Sequence, residues 1–186
     1  MHAVKPPVFT CAFLGRLNAE KDPLSLIGIA KSLKDKHNFM IRVAGDGPLR
    51  DDLLNIIRKE HLDNHFIIHG KVEDVPQLLA ESHCLLITSR WEGMPLSLLE
   101  AAAAGIPVVS TPVGNIPSFI NSTNGYLGSI NELPSLIEKV MDNYGEALIR
   151  GRSLKQTVVE RFDIPACYSR HTQLYVTCAG VRGARV

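Results

Sequence analysis

At 186 residues, 45% hydrophobic and 21% charged, the chain is long enough to bury most of its apolar surface around one core without covalent or metal staples. A net charge of +1, with the basic residues scattered and no long basic block, argues against a dedicated nucleic-acid or polyanion binder. Four cysteines, at 11, 84, 167 and 178, contain no CxxC; they fit neither a zinc site nor a small disulfide framework and suit a reducing compartment.

In chain order, the opening MHAVKPP lacks the apolar run of a signal peptide, and no stretch reaches the roughly 18 apolar residues of a membrane span. The expectation is a cytoplasmic protein, with peripheral attachment to the inner face of the cell membrane left open. VFTCAFLG (8–15), FMIRVAG (39–45), HFIIHG (65–70), HCLLITS (83–89) and IPVVST (106–111) are short, apolar throughout and end at Gly, Ser or Thr, as strands covered on both faces do. Helical patterns lie between them. Asp22-Pro23 opens PLSLIGIAKSLKDK with a capping carboxylate and a proline at the first helical position, and Asp46-Gly47-Pro48 does the same for LRDDLLNIIRKEH. Strand alternating with helix predicts an α/β fold, a Rossmann-like doubly wound parallel sheet.

After Thr111 the pattern loosens. PVGNIPSF holds too many turn formers for a long helix, and NGYLG (124–128) reads as a short strand. ELPSLIEKVMDNYGEALIRGR, LKQTVVERF and IPACYSRHTQLYVTC read as helices, and the tail AGVRGARV (179–186) as frayed. The expected division is residues 1–7 as linker, 8–163 as one α/β domain, 164–178 as a separate terminal helix and 179–186 as tail.

Ligands of an open doubly wound sheet bind beyond the carboxyl ends of the strands. The sequence puts GRLNAEK, GDGP, GKVED, SRWEGMPLS and TPVGNIP there. Gly15 and Gly93 would let backbone approach a ligand closely. A helix starting near Pro95 offers free amides and a positive dipole end to a phosphate, and Arg16 and Lys21 add two cations. This chemistry suits a diphosphate held without a metal, since no Asp/Glu/His cluster of metal-ligand type is present. Glu100, about one and a half turns into that helix, leans back toward its start and would accept the hydroxyls of a ribose. Glu92, just before the helix, would lie on the other side of the phosphates. GDGP reads as helix-start chemistry rather than a ligand contact, His69 as structural, and Trp91 as packed under its loop.

WEGMPLSLLEAAAAGIPVV resembles the E-x7-E signature of retaining glycosyltransferases of the GT-B fold, family 4. GRLNAEK, VAGDGPLRDDL, HGKVEDVPQLLAES and TPVGNIPSFI resemble the flanking motifs of that family in order and spacing, over residues 8 to about 177. The resemblance implies the C-terminal half of a GT-B enzyme. Arg16 and Lys21 would grip the diphosphate, and Glu92 would hydrogen-bond the donor sugar. Amides near Gly93 and Met94 would face sugar hydroxyls, and those of Leu96 and Ser97 the phosphate. Glu100 would take the ribose, and backbone near Lys71 and Val72 the base. Pro95 departs from the family by lacking an amide donor.

No cofactor is implied; the substrate is a nucleotide-diphosphate sugar, with UDP or GDP favoured. The partners implied are a missing N-terminal acceptor-binding domain and a saccharide or lipid-linked acceptor, with no nucleic acid. An isolated donor-binding half would bind nucleotide and transfer no sugar. Short loops lean toward bacterial cell-envelope polysaccharide or lipopolysaccharide synthesis rather than starch or glycogen synthesis. The alternatives are a non-catalytic nucleotide-binding module of the same fold, or an NDP-sugar epimerase-like half, which fits E-x7-E less well. A dinucleotide-binding domain would need GxGxxG where GRLNAE stands.

Overall fold

Six parallel strands form one sheet in the order β3-β2-β1-β4-β5-β6, in a computed structural model that describes residues 5–183. The strands are β1 (Phe9–Leu14), β2 (Phe39–Ala44), β3 (Phe66–Gly70), β4 (Cys84–Ile87), β5 (Val108–Ser110) and β6 (Tyr126–Leu127). The helices are α1 (Ser25–Leu33), α2 (Arg50–Lys59), α3 (Val75–Ala80), α4 (Leu96–Ala104), α5 (Leu133–Asp142), α6 (Tyr144–Phe162) and α7 (Ile164–Gly183). Residues 1–4 of the expected linker and 184–186 of the expected tail lie outside the described residues.

The apolar strand runs are explained by two cores, one on each face of the sheet. Alternate residues divide between them, as a two-residue period requires. Cys11 and Phe13 of β1, Cys84 and Leu86 of β4, and Val109 of β5 join α1, α2 and α5 in one core. Ala12, Leu85, Ile87 and Val108 join α3, α4 and α6 in the other. The doubly wound α/β reading therefore holds, and NGYLG contributes the short strand β6.

Several local readings are corrected. Asp22 does not cap α1: the helix begins at Ser25, and the Asp22 carboxylate instead accepts from Arg90 Nε at 3.0 Å. Asp46 does not cap α2, which begins at Arg50; its Oδ1 accepts only from Gly47 N, at 2.8 Å. The segment from Glu132 to Phe162 breaks at Asn143 rather than near Ser153. Asn143 leaves helical geometry (φ −134, ψ 65) and its side chain accepts from Glu146 N, starting α6. Helix α7 runs to Gly183, five residues into the stretch expected to fray.

Cys11 and Cys84, far apart in sequence, meet across β1 and β4 with their sulfurs 3.4 Å apart. Both are free thiols, and the hydrogen bond to Cys84 together with burial pushes the Cys11 thiol well above its usual value. Among the described residues no helix is long and apolar enough to cross a membrane.

Candidate functional site

The strand order reverses between β1 and β4, so the loops leaving these two strands diverge and open a crevice at the carboxyl edge. A cavity of about 640 Å³ lies there. All of the predicted site residues except Gly93 line it: Gly15, Arg16, Lys21, Lys71, Val72, Glu92, Met94, Leu96, Ser97 and Glu100.

Its floor is made by backbone. Gly15 N donates to Ala44 O at 3.1 Å and Gly45 N to Gly70 O at 2.7 Å, which ties together the loops after β1, β2 and β3. Gly45 holds φ +148, and a Cβ there would fall 1.8 Å from Gly15 O. No side chain fits at that point. Gly45 and Asp46 also line the cavity, so the GDGP turn, whose Gly47 O accepts from Arg50 N at the start of α2, borders the site as well. The signal was a glycine placed directly after an apolar strand. Leu14, Ala44 and Val75, which the sequence reading missed, and Pro95 complete the lining.

Helix α4 opens at Leu96, not Pro95; Pro95 is the extended residue before it (φ −71, ψ 121). Glu100 is therefore one turn beyond Leu96, on the same side of the helix. It is exposed and makes no hydrogen bond or ion pair among the described residues. Arg16 is likewise exposed and forms no ion pair among the described residues.

Lys21 and Glu92 differ. The sequence reading treats them as separate contacts to a ligand, whereas the structure joins them. Lys21 Nζ lies 2.7 Å from Glu92 Oε1 and 2.6 Å from Oε2. Ser89 Oγ donates to Oε1 at 2.6 Å, and the Glu92 side chain is only 4% exposed. The loop carrying Lys21 is pinned to the end of β4. Thr88 Oγ1 donates to Lys21 O (2.9 Å) and Asp22 O (3.0 Å), and Arg90 N donates to Glu20 O (2.8 Å).

Gly93 sits outside the cavity lining, and nothing stands within 4 Å of where its Cβ would be. Trp91 is 57% exposed rather than packed beneath its loop. His69 does not line the cavity; desolvation and the Arg42 guanidinium lower its pKa. Among the described residues no three His, Cys, Asp or Glu side chains gather in a metal-binding group.

Among the described residues the site is thus a cleft with two unpaired cations (Arg16 and Lys71), one internally paired cation (Lys21), a helix start and the free Glu100 carboxylate. The chain resembles known proteins in sequence and in fold. The chain is 29% identical over 175 residues to UDP-Gal:alpha-D-GlcNAc-diphosphoundecaprenol alpha-1,3-galactosyltransferase of Escherichia coli, covering 90% of the chain and 45% of that enzyme. It is 31% identical over 137 residues to N-acetyl-alpha-D-glucosaminyl L-malate synthase of Bacillus anthracis, covering 72% of the chain and 36% of the relative. The chain therefore spans under half the length of these two relatives.

Among solved structures, Anabaena HepE in complex with UDP superposes with a TM-score of 0.84 at 22% identity, over 91% of this chain and 49% of that one. A C-terminal domain of a glycosyl transferase group 1 family protein, LpcC of Francisella tularensis, superposes with a TM-score of 0.75 at 22% identity. It covers 86% of this chain and 89% of that one. The family model described as glycosyl transferases group 1 matches residues 3–150, and the chain belongs to that family of GT-B glycosyltransferases.

Proposed function

We propose that this chain is the donor-binding half of a retaining glycosyltransferase, and that its cleft holds a nucleoside-diphosphate sugar. The observation that carries this reading is the convergence of Arg16, Lys21, the first turn of α4 and the unpartnered Glu100 on one cavity at the sheet's switch point. In this reading the diphosphate lies on Arg16, Lys21 and the amides of Leu96 and Ser97, where cations and a helix start offset its charge. Glu100 accepts the ribose hydroxyls. Lys71 and Val72, with Val75 beside them, border the base. Glu92, with backbone around Gly93 and Met94, faces the sugar.

Breaking the glycosidic bond leaves charge on the diphosphate, and donors already fixed in place around it lower that barrier without reorganising. UDP is the favoured nucleotide, because HepE was solved with UDP and with UDP-glucose. The acceptor belongs to a second domain. The E. coli relative's diphosphoundecaprenol substrate supports a lipid-linked acceptor and a role in cell-envelope polysaccharide synthesis. Alone, the chain binds nucleotide and transfers no sugar.

The test is calorimetric titration with UDP, GDP and ADP, for wild type and Glu100→Gln. Binding of one nucleotide, weakened by on the order of tenfold in the variant, is expected if a carboxylate holds the ribose. Binding that ignores Glu100→Gln overturns the ribose assignment, and binding of none overturns the donor site. Sugar transfer by the chain alone would overturn its reading as a half-enzyme.

A further inference from the structure

Glu92 is paired with Lys21, the cation that the reading above assigns to the diphosphate. Both of its oxygens lie within 2.7 Å of Lys21 Nζ, and the arrangement is held from two sides. On one side, Ser89 Oγ donates to Glu92 while Thr111 Oγ1 donates to Ser89 O at 2.7 Å. On the other, Thr88 Oγ1 fixes the backbone of Lys21. The Glu92 carboxylate is 4% exposed and the backbone at both residues is fixed. The attraction that Lys21 offers an anion is therefore opposed by a carboxylate already in contact with it.

This opposition does not fall equally on donor and product. A free nucleoside diphosphate ends in a phosphate that carries close to two negative charges at neutral pH, by analogy with phosphate monoesters whose second pKa is about 6. In the sugar ester that oxygen is capped, the extra charge is absent, and the sugar brings hydroxyls able to donate to a carboxylate. A fixed carboxylate at this point disfavours the first ligand and accepts the second.

Resting on the donor-site reading above, we propose that Glu92 discriminates donor from product. Its pairing with Lys21 competes with the free nucleoside diphosphate and re-forms as that product leaves. Glu20 makes a graded comparison. Its Oε1 lies 3.4 Å from the same Lys21 Nζ, but its side chain is 37% exposed, so solvent screens it more.

The experiment titrates the chain calorimetrically with UDP, GDP and their glucose esters, as wild type, Glu92→Gln and Glu20→Gln. Glutamine keeps the shape of Glu92 and an oxygen for Ser89 while removing the charge. Glu92→Gln is expected to tighten binding of the free diphosphate by on the order of tenfold and to weaken the ester, whose hydroxyls lose a charged acceptor. Glu20→Gln should change the free diphosphate less. In wild type the preference for ester over free diphosphate should grow from about pH 5.5 to 7.5 as the terminal phosphate ionises, and Glu92→Gln should flatten that profile. A purely structural role for Glu92 would leave the profile unmoved.

Free diphosphate that binds Glu92→Gln no more tightly than wild type overturns the inference and leaves the donor site standing. Binding of none of these ligands by any of the three chains removes the donor site and the inference together. A stand-alone C-terminal domain of the same family has been crystallised, so a chain of this extent is a workable unit.

Discussion

A Cβ on Gly114 would stand 1.6 Å from the carbonyl oxygen of Glu92, so the loop after β5 meets the loop after β4 backbone to backbone. Gly114 also holds φ +56, in the left-handed region that an L side chain adopts only at a cost. Two independent constraints therefore require glycine here, and both bear on where Glu92 sits. Gly114→Ala is expected to cost about 2–4 kcal/mol, from overpacking and the unfavourable φ together. Thermal unfolding should show this as a clear fall in Tm, together with weaker binding of the nucleotide sugar. A variant with unchanged Tm would mean that the two loops part easily and that Gly114 does not hold Glu92.

Arg16 and Lys21 should separate cleanly by stability. Arg16 is exposed and unpaired among the described residues, so Arg16→Ala should leave unfolding within about 0.5 kcal/mol of wild type while weakening diphosphate binding. Lys21→Ala leaves the 4%-exposed Glu92 carboxylate without its cation, which should cost about 1–3 kcal/mol of stability as well as affinity. Lys21→Ala with Glu92→Gln should recover much of the lost stability and none of the lost cation. Equal denaturant midpoints for the two single variants would contradict the pairing.

Asp22 is a non-glycine residue at φ +48, buried, and tied to Arg90 Nε at 3.0 Å. Asp22→Asn should be mild, because asparagine tolerates the left-handed region. Asp22→Ala should cost about 1–2 kcal/mol, losing both that tolerance and the contact with Arg90. Denaturant titration of the two variants tests this ranking; alanine as mild as asparagine would show that the local conformation carries no strain.

His83 should give the fold a dependence on pH. Its Nδ1 accepts from Thr10 N at 3.0 Å, its ring stacks on Phe9 at 4.8 Å, and its pKa is lowered by burial and then by the charge of Lys5. The fold therefore favours the neutral ring, whereas the unfolded chain takes up a proton near pH 6.5. Stability from this group is complete above that pH and falls as pH drops through the lowered folded value. His69 shifts in the same direction, so His83→Gln should reduce the loss of Tm between pH 7 and 5 without abolishing it. An unchanged slope would mean that His83 does not couple folding to protons.

Tyr144 adds a check at the alkaline end. Burial pushes its phenol up to about 12, and its hydroxyl donates to His83 O at 3.3 Å. Ultraviolet titration should find Tyr144 the last tyrosine to ionise, after Tyr126, whose phenol burial also raises, and both should catch up on unfolding. Uniform ionisation would place its hydroxyl in solvent.

The sheet was legible because a strand buried on both faces must be apolar at every position, and VFTCAFLG, HCLLITS and IPVVST meet that condition by themselves. Helix α4 was legible for a similar reason: its alanines and the glycine that ends it act within a few residues of one another. Local rules misled where a side chain had a distant partner within reach. Asp22 and Asp46 look like helix caps because aspartate often caps, but Asp22 found Arg90 and Asp46 turned onto its own neighbour. The break at Asn143 went unseen because asparagine inside a helical pattern signals a cap only once the chain on both sides has docked.

The sequence by itself determined which residues come to the carboxyl edge, since parallel strands joined by helices put every strand-to-helix loop on the same edge of the sheet; the strand order came from the structure. Only the tertiary structure decided which of those charges meet. Lys21 and Glu92 are 71 residues apart and sit on different loops. Their contact depends on how Thr88 and Arg90 N pin the β1 loop to the end of β4, with Ser89 and Gly114 placing Glu92, and no local pattern encodes a distance between two loops.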